Sequence, residues 1–240
     1  MHILVLGATS QIGSALEQEF SAGNSLLLVG RNGSRLQAVG RLCEEAGAAQ
    51  VRLVELDLSL GVEPLLQAGQ GISIGLLIDA ASASSAKRDA EIEPTEIGGL
   101  VAADFVSRTE IFGQLLSQQA APPAVIYIST VLTLVKSPGR VVYASLKSLY
   151  ETYLQKLKAR RPDFRLLVVY VGTVVDPKNV SEKPRRLAAA VAKAFAAKKE
   201  TMFYGLSGRV FIGLFYFQPL VFSLVALMQR KVRAWLARRP

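Results

Sequence analysis

Short apolar runs alternate with longer helical stretches through most of this 240-residue chain, and this alternation is what most constrains its fold. Such runs are typical of strands buried on both faces, and the segments between them are long enough for crossover helices. The sequence therefore predicts an α/β fold with a doubly wound parallel sheet. The runs, in chain order, are "ILVL", "LLLVG", "VRLVEL", "IGLLID", "AVIYIS", "RLLVVYV" and "TMFY", which makes about seven strands.

Cysteine and histidine are too scarce to build a metal site or a disulfide. Cys43 is the single cysteine, and His2 is the single histidine. An intramolecular disulfide is excluded, and no metal site of the usual His/Cys spacing is expected. The chain passes from Met1 directly into "HILVLG", without a basic region or a small-residue cleavage site. We therefore expect no secretory signal and a folded part that stays in the cytosol.

The net charge of +9 belongs mostly to the end of the chain. Six of the basic residues follow Glu200 with no acidic residue among them, which leaves +3 for the first 200 residues. No aromatic-rich basic groove and no nucleic-acid motif accompanies this charge. Nucleic acid is therefore not expected as a partner.

The first predicted strand runs into the turn "GATSQIG", in which Gly7 and Gly13 frame the start of a helix. Glycine permits a tight turn and close backbone approach, and a helix N-terminus presents N–H groups to a pyrophosphate. An ordinary strand-to-helix turn is the alternative, because Gln11 stands where such cradles usually have a middle glycine. The position in the first βα turn favours a phosphate cradle.

The second strand ends in "LLLVGRN", where an acidic residue would bind the ribose hydroxyls of NAD. Arg31 occupies the place after Gly30 and suits the extra phosphate of NADP(H), so NAD(H) is the less favoured cofactor. An arginine here can also merely stack on adenine. Asp57, after the third strand, is a candidate acceptor for the adenine amino group, and an N-cap role fits it equally well.

Tyr143 and Lys147 lie four residues apart in a segment whose Leu and Tyr spacing is helical. Residues at this spacing are neighbours on a helix, so the ammonium is expected to lower the pKa of the phenol towards the range of an acid/base catalyst. A surface Tyr beside a surface Lys is the simpler interpretation of the spacing alone. Tyr150 and Tyr153 have Leu at the same offset, so the pair is specific to Tyr143.

Taken in order, these pieces resemble the short-chain dehydrogenase/reductase family over about residues 1 to 205. The resemblance rests on the Gly7/Gly13 turn, Asp57, "LLIDAAS", "YIST", "YASLK" and "VYVGTVV". It implies a Rossmann fold and a carbonyl–alcohol oxidoreduction with NAD(P)(H). The tyrosine protonates the carbonyl oxygen, a serine orients it, and the lysine lowers the tyrosine pKa and holds the nicotinamide ribose.

The resemblance also implies the site residues. The serine position falls on Thr130, with Ser129 as the alternative if the loop has shifted by one residue. Asp104 stands where the family's helix asparagine supports a water chain to the lysine, and Asp79-Ala80-Ala81-Ser82 replaces its "NNAG". The predicted catalytic residues are Thr130, Ser129, Tyr143, Lys147 and Asp104. The predicted cofactor-binding residues are Gly7, Thr9, Ser10, Gln11, Ile12, Gly13, Arg31, Asp57, Leu58, Ala80, Ala81, Tyr143, Lys147, Gly172 and Thr173.

Residues 210 to 228 form an uncharged stretch of about the length that crosses a bilayer core, with Gln218-Pro219 at its centre. The proline is expected to kink or split a helix, and the following residues show helical apolar spacing with basic residues around it. We predict a nucleotide-binding catalytic domain over residues 1–207 and a membrane-associating helical tail over 208–240. Packing of the tail on its own domain or in a dimer is the alternative.

These features predict a cytosol-facing, membrane-associated NADP(H)-dependent ketoreductase acting on a lipid-linked or apolar ketone, or catalysing the reverse oxidation of a secondary alcohol. A weaker resemblance, in "LGATSQIG" and the hydrophobic-basic end, is to reductases of polyprenyl-phosphate-linked 2-keto sugars, which work with a separate oxidase. A homo-oligomer is compatible with this interpretation. The alternatives are a sterol or lipid ketone reductase, a soluble-substrate ketoreductase with a dimerising tail, and a non-catalytic NADP-binding membrane scaffold.

Overall fold

The computed structural model describes residues 1–84, 87–135, 139–172 and 182–205. The predicted tail, residues 208–240, and the predicted cofactor contact Thr173 lie outside the described residues. The described strands are β1 (His2–Leu6), β2 (Ser25–Gly30), β3 (Gln50–Glu55), β4 (Ile74–Asp79), β5 (Ala124–Thr130), β6 (Leu166–Val171) and β7 (Thr201–Tyr204).

Helices follow most of these strands. They are α1 (Gln11–Glu19), α2 (Gly33–Glu45), α3 (Glu63–Ala68), α4 (Ile97–Val101), α5 (Ser107–Gln118), α6 (Val141–Arg160) and α7 (Glu182–Ala196). A π-helical turn, Ala102–Val106, joins α4 to α5. Short 3₁₀ turns cover Leu58–Leu60, Asp89–Glu91, Pro94–Glu96 and Val131–Thr133.

The strands form one parallel sheet in the order β3-β2-β1-β4-β5-β6-β7. The seven strands are those that the apolar runs predict, so the predicted doubly wound sheet is confirmed. The strand order reverses between β1 and β4, and ligands of open α/β sheets bind at the carboxyl ends of the strands near such a reversal. The first βα turn and the turn after β4 both lie at this point.

The core lies on both faces of the sheet, because successive side chains of a strand point in opposite directions. In β1, Leu4 and Leu6 pack in one apolar cluster, with side chains of α5 and α6, while Ile3 and Val5 pack in the other, with side chains of α1, α2 and α7. Burial on both faces explains why the strands appear in the sequence as unbroken apolar runs rather than as alternating patterns.

In the part of the chain that the structure describes, no helix combines the length and the apolar composition that a bilayer crossing requires.

Candidate active site

A cavity of about 300 Å³ opens at the carboxyl ends of β1, β2 and β4. It lies beside the point where the strand order reverses, which is where the sheet topology favours a ligand. Its wall combines the first βα turn, the end of β2, the turn after β3 and the turn after β4. The lining residues are Gly7, Thr9, Ser10, Gln11, Val29, Gly30, Arg31, Arg35, Leu56, Asp57, Leu58, Ala80, Ala81, Ser82, Ala83, Ala103 and Asp104.

Glycine is required at two positions of the first βα turn. Gly7 has a φ of +78°, and a Cβ there would lie 2.7 Å from the backbone N and Cα of Ala81. A Cβ on Gly13 would lie 2.3 Å from the carbonyl oxygen of Gly7. The turn therefore closes directly on the segment after β4, and this close approach shapes the cavity floor.

Helix α1 starts at this turn. Ser10 is its N-cap, and the Ser10 hydroxyl accepts a hydrogen bond from the Gly13 backbone N–H at 2.9 Å. Thr9, Ser10 and Gln11 line the cavity, while Ile12 packs against the apolar cluster beneath α1. The start of α1 thus directs its N-terminal dipole towards the cavity, the arrangement that suits a pyrophosphate.

The far side of the cavity carries two arginines. Arg31 follows β2, and Arg35 lies in the first turn of α2; both are exposed. Arg35 was not predicted, although its four-residue spacing from Arg31 at the start of a helix was a usable signal.

Asp57 caps the turn Leu58–Leu60, because its Oδ1 accepts from the Ser59 N–H at 2.9 Å and the Ser59 hydroxyl at 2.8 Å. Asp57 has the N-cap role and also faces the cavity.

Tyr143 lies in the first turn of α6 and is partly buried. It shares a side-chain hydrogen bond with Thr130, the last residue of β5. The Thr130 hydroxyl also accepts from the Leu132 N–H at 3.3 Å and caps the turn Val131–Thr133. The structure therefore brings Thr130 and Tyr143 together, as the spacing of the family motif implies.

Ser129 has a different partner. Its hydroxyl donates to Oε2 of Glu151 at 2.7 Å, and the Tyr170 hydroxyl donates to the other oxygen of the same carboxylate. Ser129 is 2% exposed, so this contact is fully buried. Of the two candidate hydroxyls, Thr130 is the one that lies with Tyr143.

Lys147 is 3% exposed, and its ammonium is held by backbone carbonyls. Its Nζ donates to the Ile128 carbonyl at 2.8 Å and to the Ala81 carbonyl at 3.0 Å. Ala81 also lines the cavity. The Lys147 side chain therefore connects the end of β5 to the segment after β4 that borders the cavity.

The pKa directions differ from those expected from the Tyr–Lys spacing. Burial raises the pKa of Tyr143, although the hydrogen bond with Thr130 opposes this. Burial, with the positive charge of Arg108 as the second cause, lowers the pKa of Lys147 to about 7, although the nearby carboxylates oppose this. The pKa that is brought towards neutral pH is therefore that of the Lys147 ammonium and not that of the Tyr143 phenol.

Asp104 lies in the π-helical turn and is 2% exposed. Its carboxylate accepts from the backbone N–H groups of Ala83 at 2.7 Å and Ser84 at 3.1 Å, and from the Ser84 hydroxyl at 2.5 Å. The nearby Arg108 and Lys147 charges and these hydrogen bonds lower its pKa in spite of burial. Asp104 is thus ionised and anchors the turn after β4. The sequence predicted a part in a water relay for Asp104 but did not predict this anchoring contact.

The ion pair beneath this turn was not predicted from the sequence. Nη2 of Arg108 donates to Oδ1 of Asp79 at 2.6 Å, and neither side chain is exposed. Nη2 also donates to the Ala81 carbonyl, and Nη1 donates to the Asp104 carbonyl at 3.1 Å. A carboxylate at the end of a buried strand was the available signal, because such a group requires a cation. We call Asp79, Asp104, Arg108 and Lys147 the buried charge cluster.

The remaining predicted contacts fall around the same edge. Ala80 and Ala81 line the cavity, and Gly172 follows β6 and is partly buried. The cavity fits the adenosine and pyrophosphate portions of NAD(P)(H). Its glycines allow close backbone approach, the N-terminus of α1 faces it, and two arginines line it. Lys147 reaches the same segment through the Ala81 carbonyl, and Tyr143, one helical turn before it, shares a hydrogen bond with Thr130.

Comparison with known proteins gives the family. Residues 1–175 match the family model described as short chain dehydrogenase. An uncharacterized oxidoreductase of Mycobacterium tuberculosis is 26% identical over 216 residues, which cover 83% of this chain and 86% of that protein. Among solved structures, a short-chain dehydrogenase from Sphingobium yanoikuyae in complex with NADPH is similar, with a TM-score of 0.74, 20% identity and coverage of 95% of each chain.

A bulky-bulky ketone specific alcohol dehydrogenase from Comamonas testosteroni has a TM-score of 0.75 and 20% identity, covering 95% of this chain and 93% of its own. The structural matches agree with the observed fold, and the family match spans the cradle, Thr130, Tyr143 and Lys147. The predicted family and the predicted enzyme class are confirmed. The chain belongs to the short-chain dehydrogenase family of oxidoreductases.

Proposed function

We propose that this protein is an NADP(H)-dependent ketoreductase, which reduces a ketone to a secondary alcohol or catalyses the reverse oxidation. The observation that carries the proposal is the link at Ala81. This residue borders the nucleotide cavity, and its carbonyl accepts from Lys147, one turn along α6 from Tyr143. This link supports a nucleotide in the cradle lying next to a carbonyl beside Tyr143.

Each side chain near Tyr143 has a separate role in the proposed reaction. Bound NADPH supplies the hydride that reduces the carbonyl carbon. Tyr143 donates its phenolic proton to the carbonyl oxygen, and Thr130 holds that oxygen and the phenol in line. Lys147 contributes positive charge that stabilises the phenolate left on Tyr143. The burial that raises the pKa of Tyr143 keeps the phenol protonated and ready to donate at neutral pH.

The proposed preference for NADP(H) over NAD(H) rests on Arg31 and Arg35. Both guanidinium groups border the cavity, and Gly30 leaves no acidic side chain at the end of β2 to bind ribose hydroxyls. The NADPH bound in the Sphingobium relative supports this choice. Arginine binds a phosphate through paired hydrogen bonds between opposite charges. The neutral ribose hydroxyl of NAD(H) cannot form such a pair with arginine.

Calorimetric titration tests the cofactor preference. We expect wild type to bind NADPH more tightly than NADH, and Arg31→Ala to weaken NADPH binding by about 10- to 100-fold, the worth of a charged hydrogen bond. Binding of NADH should change little. Arg41→Ala removes an exposed arginine from α2 outside the cavity and is the matched control. Equal affinities of wild type for the two nucleotides would contradict the preference.

The proposed substrate is an apolar or lipid-linked ketone at the cytosolic membrane face. Only the sequence of the tail supports this part, through its apolar stretch and the basic residues Arg230, Lys231 and Arg233. The tail of residues 208–240 is proposed to hold the catalytic domain, residues 1–207, at the membrane. A reductase of polyprenyl-phosphate-linked 2-keto sugars, working with a partner oxidase, is the narrowest form of this proposal.

Incubation of the purified full-length protein with NADPH and a membrane lipid extract tests the activity and its substrate class together. Mass spectrometry should show a lipid that gains two hydrogens, in proportion to the NADPH consumed. Reduction of soluble ketones alone would support the soluble-substrate alternative. NADPH binding without oxidation by the extract or by a broad ketone panel would support a non-catalytic scaffold.

A further inference from the structure

Two cations meet at one carbonyl in the interior of this protein. The Ala81 carbonyl oxygen accepts from Nζ of Lys147 at 3.0 Å, and it also accepts from Nη2 of Arg108. Arg108 is fully buried, and Lys147 is 3% exposed. Water therefore does little to screen the repulsion between the ammonium and the guanidinium.

Asp79 fixes the guanidinium in this place. Its Oδ1 accepts from Nη2 of Arg108 at 2.6 Å, and the Asp104 carbonyl accepts from Nη1 at 3.1 Å. The rings of Tyr150 and Tyr127 lie 5.0 Å and 5.8 Å from the guanidinium carbon. With an anion, two carbonyls and two ring faces around it, Arg108 stays charged and has one orientation.

We propose that Arg108 is a positioning residue for Lys147: held by Asp79, its guanidinium fixes the Ala81 carbonyl to which Lys147 donates and places a permanent positive charge beside the ammonium. This assignment deepens the proposed function, because it concerns the lysine that supports Tyr143. Arg108 does not line the cavity, and its hydrogen bonds within the described structure go to Asp79, Ala81 and Asp104. It therefore acts through Lys147 and the turn after β4, and its charge also lowers the pKa of Tyr143, against the larger effect of burial.

The charges around Lys147 act in both directions. Arg108 favours the neutral amine, as does burial, and the nearby carboxylates favour the ammonium. The Tyr127 ring, whose hydroxyl donates to the Lys147 carbonyl, lies 5.1 Å from Nζ and is held neutral by burial. The groups facing Lys147 are Asp79 from β4, Asp104 from the π-helical turn, Arg108 from α5, Tyr127 from β5, and Glu151 and Tyr143 from α6.

The balance between burial and the neighbouring charges determines the pH range over which Lys147 is charged. The pKa of Lys147 is lowered to about 7, so the ammonium is lost as the pH rises through neutrality. Reduction takes up a proton and relies on that ammonium beside Tyr143. Burial is the larger cause of this shift and Arg108 adds to it, so loss of the Arg108 charge should extend ketone reduction to higher pH.

A direct measurement does not depend on turnover. Protein labelled with ¹³C at lysine Cε is titrated by NMR, and the Lys147 signal is assigned from its absence in Lys147→Arg. The wild-type midpoint is expected near pH 7. Arg108→Gln should raise the midpoint by about one pH unit or more, and Asp79→Asn should lower it, because the two charges act on Lys147 in opposite directions.

The controls separate charge from folding. Arg108→Lys keeps a positive charge and should keep the low midpoint, whereas a purely structural loss would affect both substitutions alike. Arg161→Gln, which breaks an exposed pair with Asp163, should leave the midpoint unchanged. If Arg108→Gln does not fold, the midpoint of Asp79→Asn/Arg108→Gln is compared with that of Asp79→Asn, and the added substitution should raise it.

An unchanged Lys147 midpoint in folded Arg108→Gln, or in the double variant relative to Asp79→Asn, would overturn the assignment. If the proposed function is wrong, the result is different: the Lys147 midpoints would move as expected, but no ketone would oxidise NADPH. Where turnover is measurable, its alkaline limit should move with the NMR midpoint in every variant. Turnover limits that stay in place while the midpoint moves would overturn the role of Arg108 in reduction.

Discussion

The nucleotide cradle and the buried charge cluster meet at residues 79–84 but are built from different chemical groups. The cradle uses backbone, two glycines, a helix N-terminus and exposed arginines. The cluster uses four charged side chains that are each at most 3% exposed. Removing an exposed group should therefore weaken a ligand contact, whereas removing a buried charge should disturb the fold or a titration.

The largest expected effect is on chemistry. Tyr143→Phe removes the proton donor, so turnover on any accepted ketone should fall by about 10²- to 10⁴-fold, the usual contribution of a general acid. NADPH affinity, measured by calorimetry, should stay within about twofold, because the cradle is unaltered. Tyr153→Phe, on the same helix and partly buried, is the control. Equal losses in both variants would remove Tyr143 from the mechanism.

The next effect is on stability and belongs to the buried charge cluster. Asp79→Ala leaves the Arg108 guanidinium buried without its anion, which should lower the free energy of unfolding by about 3–5 kcal/mol. Asp163→Ala breaks an exposed ion pair with Arg161 and should cost about 0–1 kcal/mol. Urea unfolding of both variants measures the difference. Similar costs would show that the buried pair contributes no more than a surface pair.

The last expected effect is absent at low pH and grows as the pH rises, and it concerns Glu17, in α1 behind the cradle. This carboxyl is fully buried, and within the described structure neither of its oxygens has a hydrogen-bond partner. Burial raises its pKa from 4.5 to about 9. The folded state thus keeps a proton that the unfolded chain releases above pH 4.5, so stability should fall as the pH rises from about 5 to 9, at about 1.4 kcal/mol per pH unit at most.

Glu17→Gln keeps the shape of the neutral acid and should remove this slope, with little change at pH 4 and a gain that grows by up to about 1.4 kcal/mol per pH unit towards pH 8. Urea unfolding across this pH range is the measurement. Glu19→Gln, which changes an exposed residue of the same helix, should leave the slope in place. A wild-type stability that does not decline between pH 5 and 9 would show that Glu17 has an ordinary pKa in the folded protein.

The two regions also differ in how much of them could be predicted from the sequence. All seven strands, the glycine turn and the Tyr143/Lys147 pair follow from local patterns and their order, and the family resemblance implies Thr130. The partners of Asp79 and Ser129 do not, because Arg108 and Glu151 lie on helices distant in the sequence. The pKa directions at Tyr143 and Lys147 were also beyond prediction, since burial outweighs the neighbouring charge that the helical spacing suggests.

The most direct test of ketone reduction by this protein uses NADPH deuterated at both C4 positions. Full-length wild type is mixed with the labelled nucleotide and a panel of ketones that includes apolar ones, and the products are examined by mass spectrometry. The proposed site predicts an alcohol with one deuterium at the former carbonyl carbon, and almost none from Tyr143→Phe at saturating nucleotide. Tight binding of the labelled NADPH with no deuterium transferred to any ketone would contradict the proposed activity.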